Sequence, residues 1–86
     1  MKVKKGFVVY ENGGEYIMTG AGESNFNGII RSNAVAAFIV ECLAEETTRD
    51  EIIDKMFEKY DADRETLGQG VDSVLETLRK IGVLDE

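Results

Sequence analysis

The 86-residue chain carries ten lysines and arginines against 17 aspartates and glutamates, with no histidine, no proline and one cysteine. That length fits a single domain over residues 1–86 with one modest core. Residues 1–43 hold four basic and four acidic side chains and residues 44–86 hold six and thirteen, so the second half carries the whole net charge of −7 and would repel a duplex nucleic acid.

The first elements read as short strands. Phe7-Val8-Val9-Tyr10 and Tyr16-Ile17-Met18-Thr19 are β-branched or aromatic runs, and Asn12-Gly13-Gly14 lies between them. Tight hairpin turns need positive φ, which Asn and Gly tolerate, so these runs predict an antiparallel hairpin. Gly20 to Asn27 reads as a polar loop, and Gly28-Ile29-Ile30-Arg31 as a short third strand. A hairpin alone is marginal in water, so a third strand and a helical layer are expected.

From Ser32 onward the periodicity is helical. Asn33 is a candidate N-cap for a first helix running to about Leu43, with Val35, Phe38, Ile39 and Cys42 on one face. Ala36, Ala37 and Val40 make the rest nearly apolar, so this helix is expected to be the most buried. Thr48 and Glu51 have capping-box spacing for a second helix, whose stripe is Ile52, Ile53, Met56, Phe57 and Tyr60. Asp63 is placed to cap a third, with Leu67, Val71, Val74, Leu75 and Leu78 as its stripe and Gly82 as its stop. Val83 and Leu84 then form a short apolar tail that is expected to dock. Contiguous strands followed by contiguous helices give an α+β class: a winged-helix-like domain with a three-stranded antiparallel sheet and three helices.

Catalytic groups are scarce. One cysteine and no histidine leave neither a zinc site nor a Cys–His nucleophile, and Cys42 on an apolar helix face reads as core filler. Gly20-Ala21-Gly22 lacks the rest of a phosphate loop. Asp61, Asp63 and Glu65 have the spacing of three calcium ligands, but Thr66 stands where the loop needs glycine and Asp72 where it needs glutamate. The chain is therefore expected to be no enzyme and to need no cofactor or metal. No apolar run of signal-peptide or membrane-span length occurs, and the single cysteine suits a reducing compartment, so the expectation is a cytoplasmic protein without membrane contact.

Two features point to binding. If the third strand lies at the sheet edge, its free backbone groups are a template for a peptide adding as a strand, or for pairing between two copies in a homodimer. Gly68 and Gly70 sit inside the third helical pattern. They imply either close approach of another backbone or a helix that begins after Gly70.

Phe26-Asn27-Gly28-Ile29-Ile30, Asn33, Ala36-Ala37-Phe38-Ile39, Thr48 to Ile53 and the closing Val71…Leu75…Leu78…Gly82-Val83-Leu84 together resemble the PqqD family. This family is named for coenzyme PQQ synthesis protein D and is also called the RiPP recognition element, after ribosomally made, post-translationally modified peptides. The resemblance runs over residues 3 to 85 and lies in the order and spacing of motifs that are weak singly. It implies a domain that binds a precursor's leader peptide as an extra strand and presents it to a modifying enzyme. That enzyme would be a radical-SAM maturase or, in a lasso-type pathway, a protease. Carried onto matching positions, the backbone of Gly28, Ile29, Ile30 and Arg31 would pair with the leader, and Arg64, Leu67, Gly68, Val71 and Leu75 would line the helix side. Departures from the usual pattern are Ser32 for leucine, Ala44-Glu45-Glu46 for an Asp-Gly turn, and Gly70 for an acidic residue in the groove wall. An adaptor that touches only the enzyme is the other reading, and a winged-helix nucleic-acid binder is disfavoured by charge.

Overall fold

The computed structural model describes residues 1–20 and 28–86, so the loop expected over 20–27 lies, beyond Gly20, outside the described residues. In chain order the elements are β1 (Lys2–Val3), β2 (Val8–Asn12), β3 (Glu15–Thr19), β4 (Ile29–Ser32), α1 (Ala34–Cys42), α2 (Arg49–Lys59), α3 (Arg64–Lys80) and β5 (Leu84–Asp85). The expected hairpin is β2–β3. Its two-residue turn has positive φ at Gly13 (62°) and Gly14 (86°), the backbone that suits the twist of paired strands. β4 pairs antiparallel with β3, Met18 opposite Ile30 and Ile17 opposite Arg31. Among the described strands the order is β2-β3-β4, which leaves β4 at one edge and β2 at the other. This is the α+β arrangement expected, a three-stranded antiparallel sheet followed by three helices.

A second, two-stranded sheet was not expected. β1 and β5 pair antiparallel, with Val3 opposite Leu84. The Lys4 amide donates to the Val83 carbonyl at 2.7 Å, and the Val3 amide donates to the Leu43 carbonyl at 2.9 Å. The apolar tail thus docks as a strand that ties the end of α3 to the start of the chain.

All three helix starts fall where the cap residues place them. Asn33, Thr48 and Asp63 accept from the amides of Ala36, Glu51 and Thr66. The Thr48 box is one-armed: the Glu51 carboxylate accepts from the Thr47 hydroxyl at 2.9 Å instead of returning to the cap amide. The Thr66 amide holds the Asp63 carboxyl below its ordinary value. That cap therefore lends stability above the unfolded aspartate range and loses it as pH falls through the lower folded value. α3 ends in a Schellman arrangement, with the Val83 amide on the Leu78 carbonyl (3.1 Å), the Gly82 amide on the Arg79 carbonyl (3.1 Å), and Gly82 at φ 77°.

One core joins these layers. Val71, Leu75 and Leu78 of α3 meet Ile39 and Val40 of α1, Ile52 and Met56 of α2, Met18 of β3, and Phe7, Leu43 and Val83 from the connections. α1 is wedged against β2, β3 and α3, which accounts for its apolarity on nearly all sides. Its buried residues are Ala37, Ile39 and Val40. The face chosen from spacing is thus rotated: Phe38 and Cys42 are half-buried and Val35 is 38% exposed. Burial pushes the Cys42 thiol up, in keeping with a filler role. On α2, which packs chiefly on α3, Phe57 leaves the expected stripe and stands 49% exposed beneath the Arg64 guanidinium.

Candidate peptide-binding site

The β4 edge opens onto a groove of about 200 Å³ whose other wall is α3. Ile30, Arg31 and Ser32 contribute from β4, Met18 from β3, Ala36 from α1, and Val74, Thr77 and Leu78 from α3. Strand alternation turns Ile30 and Ser32, with Met18 opposite Ile30, toward the helices, while Ile29 and Arg31 point to the opposite face. A second, mostly apolar depression of about 320 Å³ lies along the same helix toward its start. Val35, Tyr60, Ala62, Thr66, Leu67 and Gly70 are among its lining residues. Val35 adjoins Ala36, and Gly70 lies one turn from Val74, so the two depressions run on from each other along α3.

The α3 wall of this path is free of carboxylates at Thr66, Gly70, Val74 and Thr77. Elsewhere on the helix, Asp72 accepts two hydrogen bonds from Arg49 of α2, at 2.6 and 3.0 Å, which hold its carboxyl below the ordinary range. Glu76 sits 3.7 Å from Lys80. Much of the acidity of α3 is thus held outside the groove.

The residues singled out from sequence are spread more widely than this groove. Ile30 and Arg31 both border it, Ile30 from the inward face of β4 and Arg31 from a strand position whose side chain belongs to the opposite face. Gly28 precedes the strand, and its carbonyl accepts from the Thr19 hydroxyl at 3.0 Å. Ile29 is 70% exposed on the outward face. Val71 and Leu75 are core residues at 0% and 2% exposure, and Leu67 reaches the second depression. Arg64 pairs with Asp54 of α2.

Helix α3 spans both Gly68 and Gly70, which removes the alternative of a later start. The two glycines have different settings. A Cβ at Gly68 would lie 2.8 Å from Arg49 Nη2 and 3.5 Å from Ile53 Cδ1, so the close approach there is between α2 and α3. A Cβ at Gly70 would meet nothing within 4 Å. Gly70→Ala should therefore raise stability by about 0.5–1 kcal/mol, through helix propensity alone. It should also narrow the path and weaken any ligand lying there severalfold. Thermal melts and titration check both effects, and unchanged affinity would route the ligand elsewhere.

Sequence reasoning missed Met18, Ser32, Ala36, Val74, Thr77 and Leu78 as groove residues. The available signal was the uncharged row Thr66, Gly70, Val74, Thr77, which follows helical spacing and shares Val74 with the apolar stripe.

Among the described residues no group of three or more His, Cys, Asp or Glu could hold a metal ion, and no helix is long and apolar enough to cross a membrane. No curated protein matches the sequence. One similar solved structure is "TbiB1 in Complex with the TbiA(beta) Leader Peptide", at 22% identity and a TM-score of 0.72, covering 99% of this chain and 100% of that one. At that identity the likeness bears on the fold, and it extends over the sheet, the helices and the terminal strands alike. The sequence profile of coenzyme PQQ synthesis protein D (PqqD) matches residues 6–84, from the turn before β2 to the start of β5, and on that match the chain belongs to the PqqD family.

Proposed function

We propose that this domain binds the leader segment of a ribosomally made precursor peptide as an added strand on β4 and presents it, without catalysing a reaction, to a modifying enzyme. The observation that carries the reading is a sheet edge at β4 that opens directly onto an apolar groove walled by α3. An added strand would gain main-chain hydrogen bonds along Ile29–Ser32. Its alternate side chains would enter the groove against Ile30, Met18, Val74 and Leu78, and the chain would run on toward Gly70 and Val35. In this placement Leu67 takes part at the second depression, while Gly68, Val71 and Leu75 support α3 from the core side. The TbiB1 structure, solved with a leader peptide, supports the assignment of ligand class. The proposed enzyme partner is a radical-SAM maturase, with a lasso-type protease as the other class. Co-purification with each tells them apart.

Ordering a disordered leader offsets several kcal/mol of the contact energy, so micromolar to submicromolar affinity is expected, about −8 to −9 kcal/mol. Strand addition makes a sharp prediction for the peptide backbone. Along a strand, successive amides point alternately to the two neighbours. N-methylation of a bound leader at single positions should therefore weaken binding at every second residue, by about tenfold where a ladder bond is lost and the methyl clashes. A uniform response, or none, would remove strand addition while leaving the protein itself untouched.

A further inference from the structure

The outward face of the three-stranded sheet is read from its register. Val8 pairs with Thr19 and Thr19 with Ile29; Tyr10 pairs with Ile17 and Ile17 with Arg31. Two cross-strand rows result, Val8–Thr19–Ile29 and Tyr10–Ile17–Arg31, and both end on β4. Three of these residues are large, apolar and exposed: Val8 at 50%, Tyr10 at 46% and Ile29 at 70%. Neither row contains a carboxylate.

Arg31 is unusual in this setting. The chain has four arginines, and three are ion-paired: Arg49 with Asp72, Arg64 with Asp54 and Arg79 with Glu86. Arg31 forms no ion pair among the described residues, although acids outnumber bases 17 to 10. It stands exposed on the acceptor strand, beside the position that a fourth strand would occupy. Directly opposed residues on neighbouring strands have Cβ atoms only about 5 Å apart, within reach for an arginine and a carboxylate.

We propose that Arg31 is a specificity-determining residue that pairs with an aspartate or glutamate of the bound peptide. This rests on the reading of β4 as the acceptor strand, and it fixes a three-residue pattern. The peptide residue opposite Arg31 is acidic, its neighbour opposite Ile30 is apolar and enters the groove, and the next, opposite Ile29, is apolar and extends the exposed row. In an antiparallel addition the acidic residue comes first, and in a parallel one last. The ligand class is therefore an amphipathic extended peptide with a carboxylate on its outward face. Long-range attraction alone would favour a basic peptide, because the protein carries −7. An acidic preference confined to one position therefore reports a local contact.

The test is selection of a displayed library of random 15-residue peptides on the wild-type protein and on Arg31→Glu. The side chain is exposed and has no ion-pair partner among the described residues, so the variant is expected to fold. Wild-type selection should enrich an acidic residue two positions from an apolar one, with another apolar residue between them. Arg31→Glu should enrich lysine or arginine at the acidic position and keep the apolar positions. For a synthetic enriched peptide, acid-to-lysine exchange should weaken wild-type binding by about threefold to tenfold, and the variant should recover that factor. Binders that shift the β4 amides but show the same charge preference, or none, with both proteins would overturn the role of Arg31 and leave strand addition standing. Failure to enrich any peptide, or binders that leave the β4 amides unmoved, would overturn both.

Discussion

Val74→Asp is expected to leave the domain folded and to weaken leader binding about thirtyfold to a hundredfold. Val74 is half-buried on the flank of α3 that walls the groove beside β4. In the free protein a carboxylate there stays partly hydrated, so the fold loses about 1 kcal/mol of apolar contact and no more. When a peptide covers the groove, the same carboxylate is stripped of water against Ile30, Met18 and Leu78. Loss of that contact plus desolvation amounts to about 2–3 kcal/mol of affinity. Calorimetric titration measures the loss, and circular dichroism checks the fold. A folded variant with wild-type affinity would move the ligand off this groove.

Val71→Asp, three residues earlier, should act by a different route. Val71 has 0% exposure and sits among Ile39, Ile52, Met56 and Leu75 in the core. An unpaired carboxylate there costs about 3–5 kcal/mol. A domain of this size has on the order of 5 kcal/mol in hand, so the variant should be largely unfolded at 37 °C. Binding would be lost with the fold, which makes Val71 a test of the core and Val74 a test of the site. A cooperative urea transition with an unchanged midpoint for Val71→Asp would contradict this placement of the helix.

The contrast between these two valines marks how far the sequence could be read. The apolar stripe of α3 gives the helix and its buried face, because Leu67, Val71, Leu75 and Leu78 repeat at helical spacing and all become core. It does not say which flank of that face turns toward the sheet, since both flanks satisfy the same spacing. For that reason site residues chosen from the stripe include core positions, while half-buried Val74 of the same stripe and exposed Thr77 beside it were passed over. Caps and turns were legible because their chemistry is local: Asn33, Thr48 and Asp63 each bond an amide three residues on, and Gly13 and Gly14 supply the φ that the hairpin needs. The β1–β5 pair was not legible, because two residues show no periodicity and their partner lies at the far end of the chain. The orientation of α1 was hidden for the opposite reason: a helix apolar on nearly every side offers no stripe from which to read a direction.

The edge at β2 gives the central claim its natural competitor, since among the described strands that one is also paired on one side only. Titration of the ¹⁵N-labelled protein with the synthetic leader of a precursor encoded beside its gene, followed by amide shifts, separates the two. The account predicts saturable shifts concentrated at residues 29–32 and 70–78, with a dissociation constant near the micromolar range. Shifts confined to residues 8–12, or none at all with a leader that the partner enzyme demonstrably processes, would contradict it.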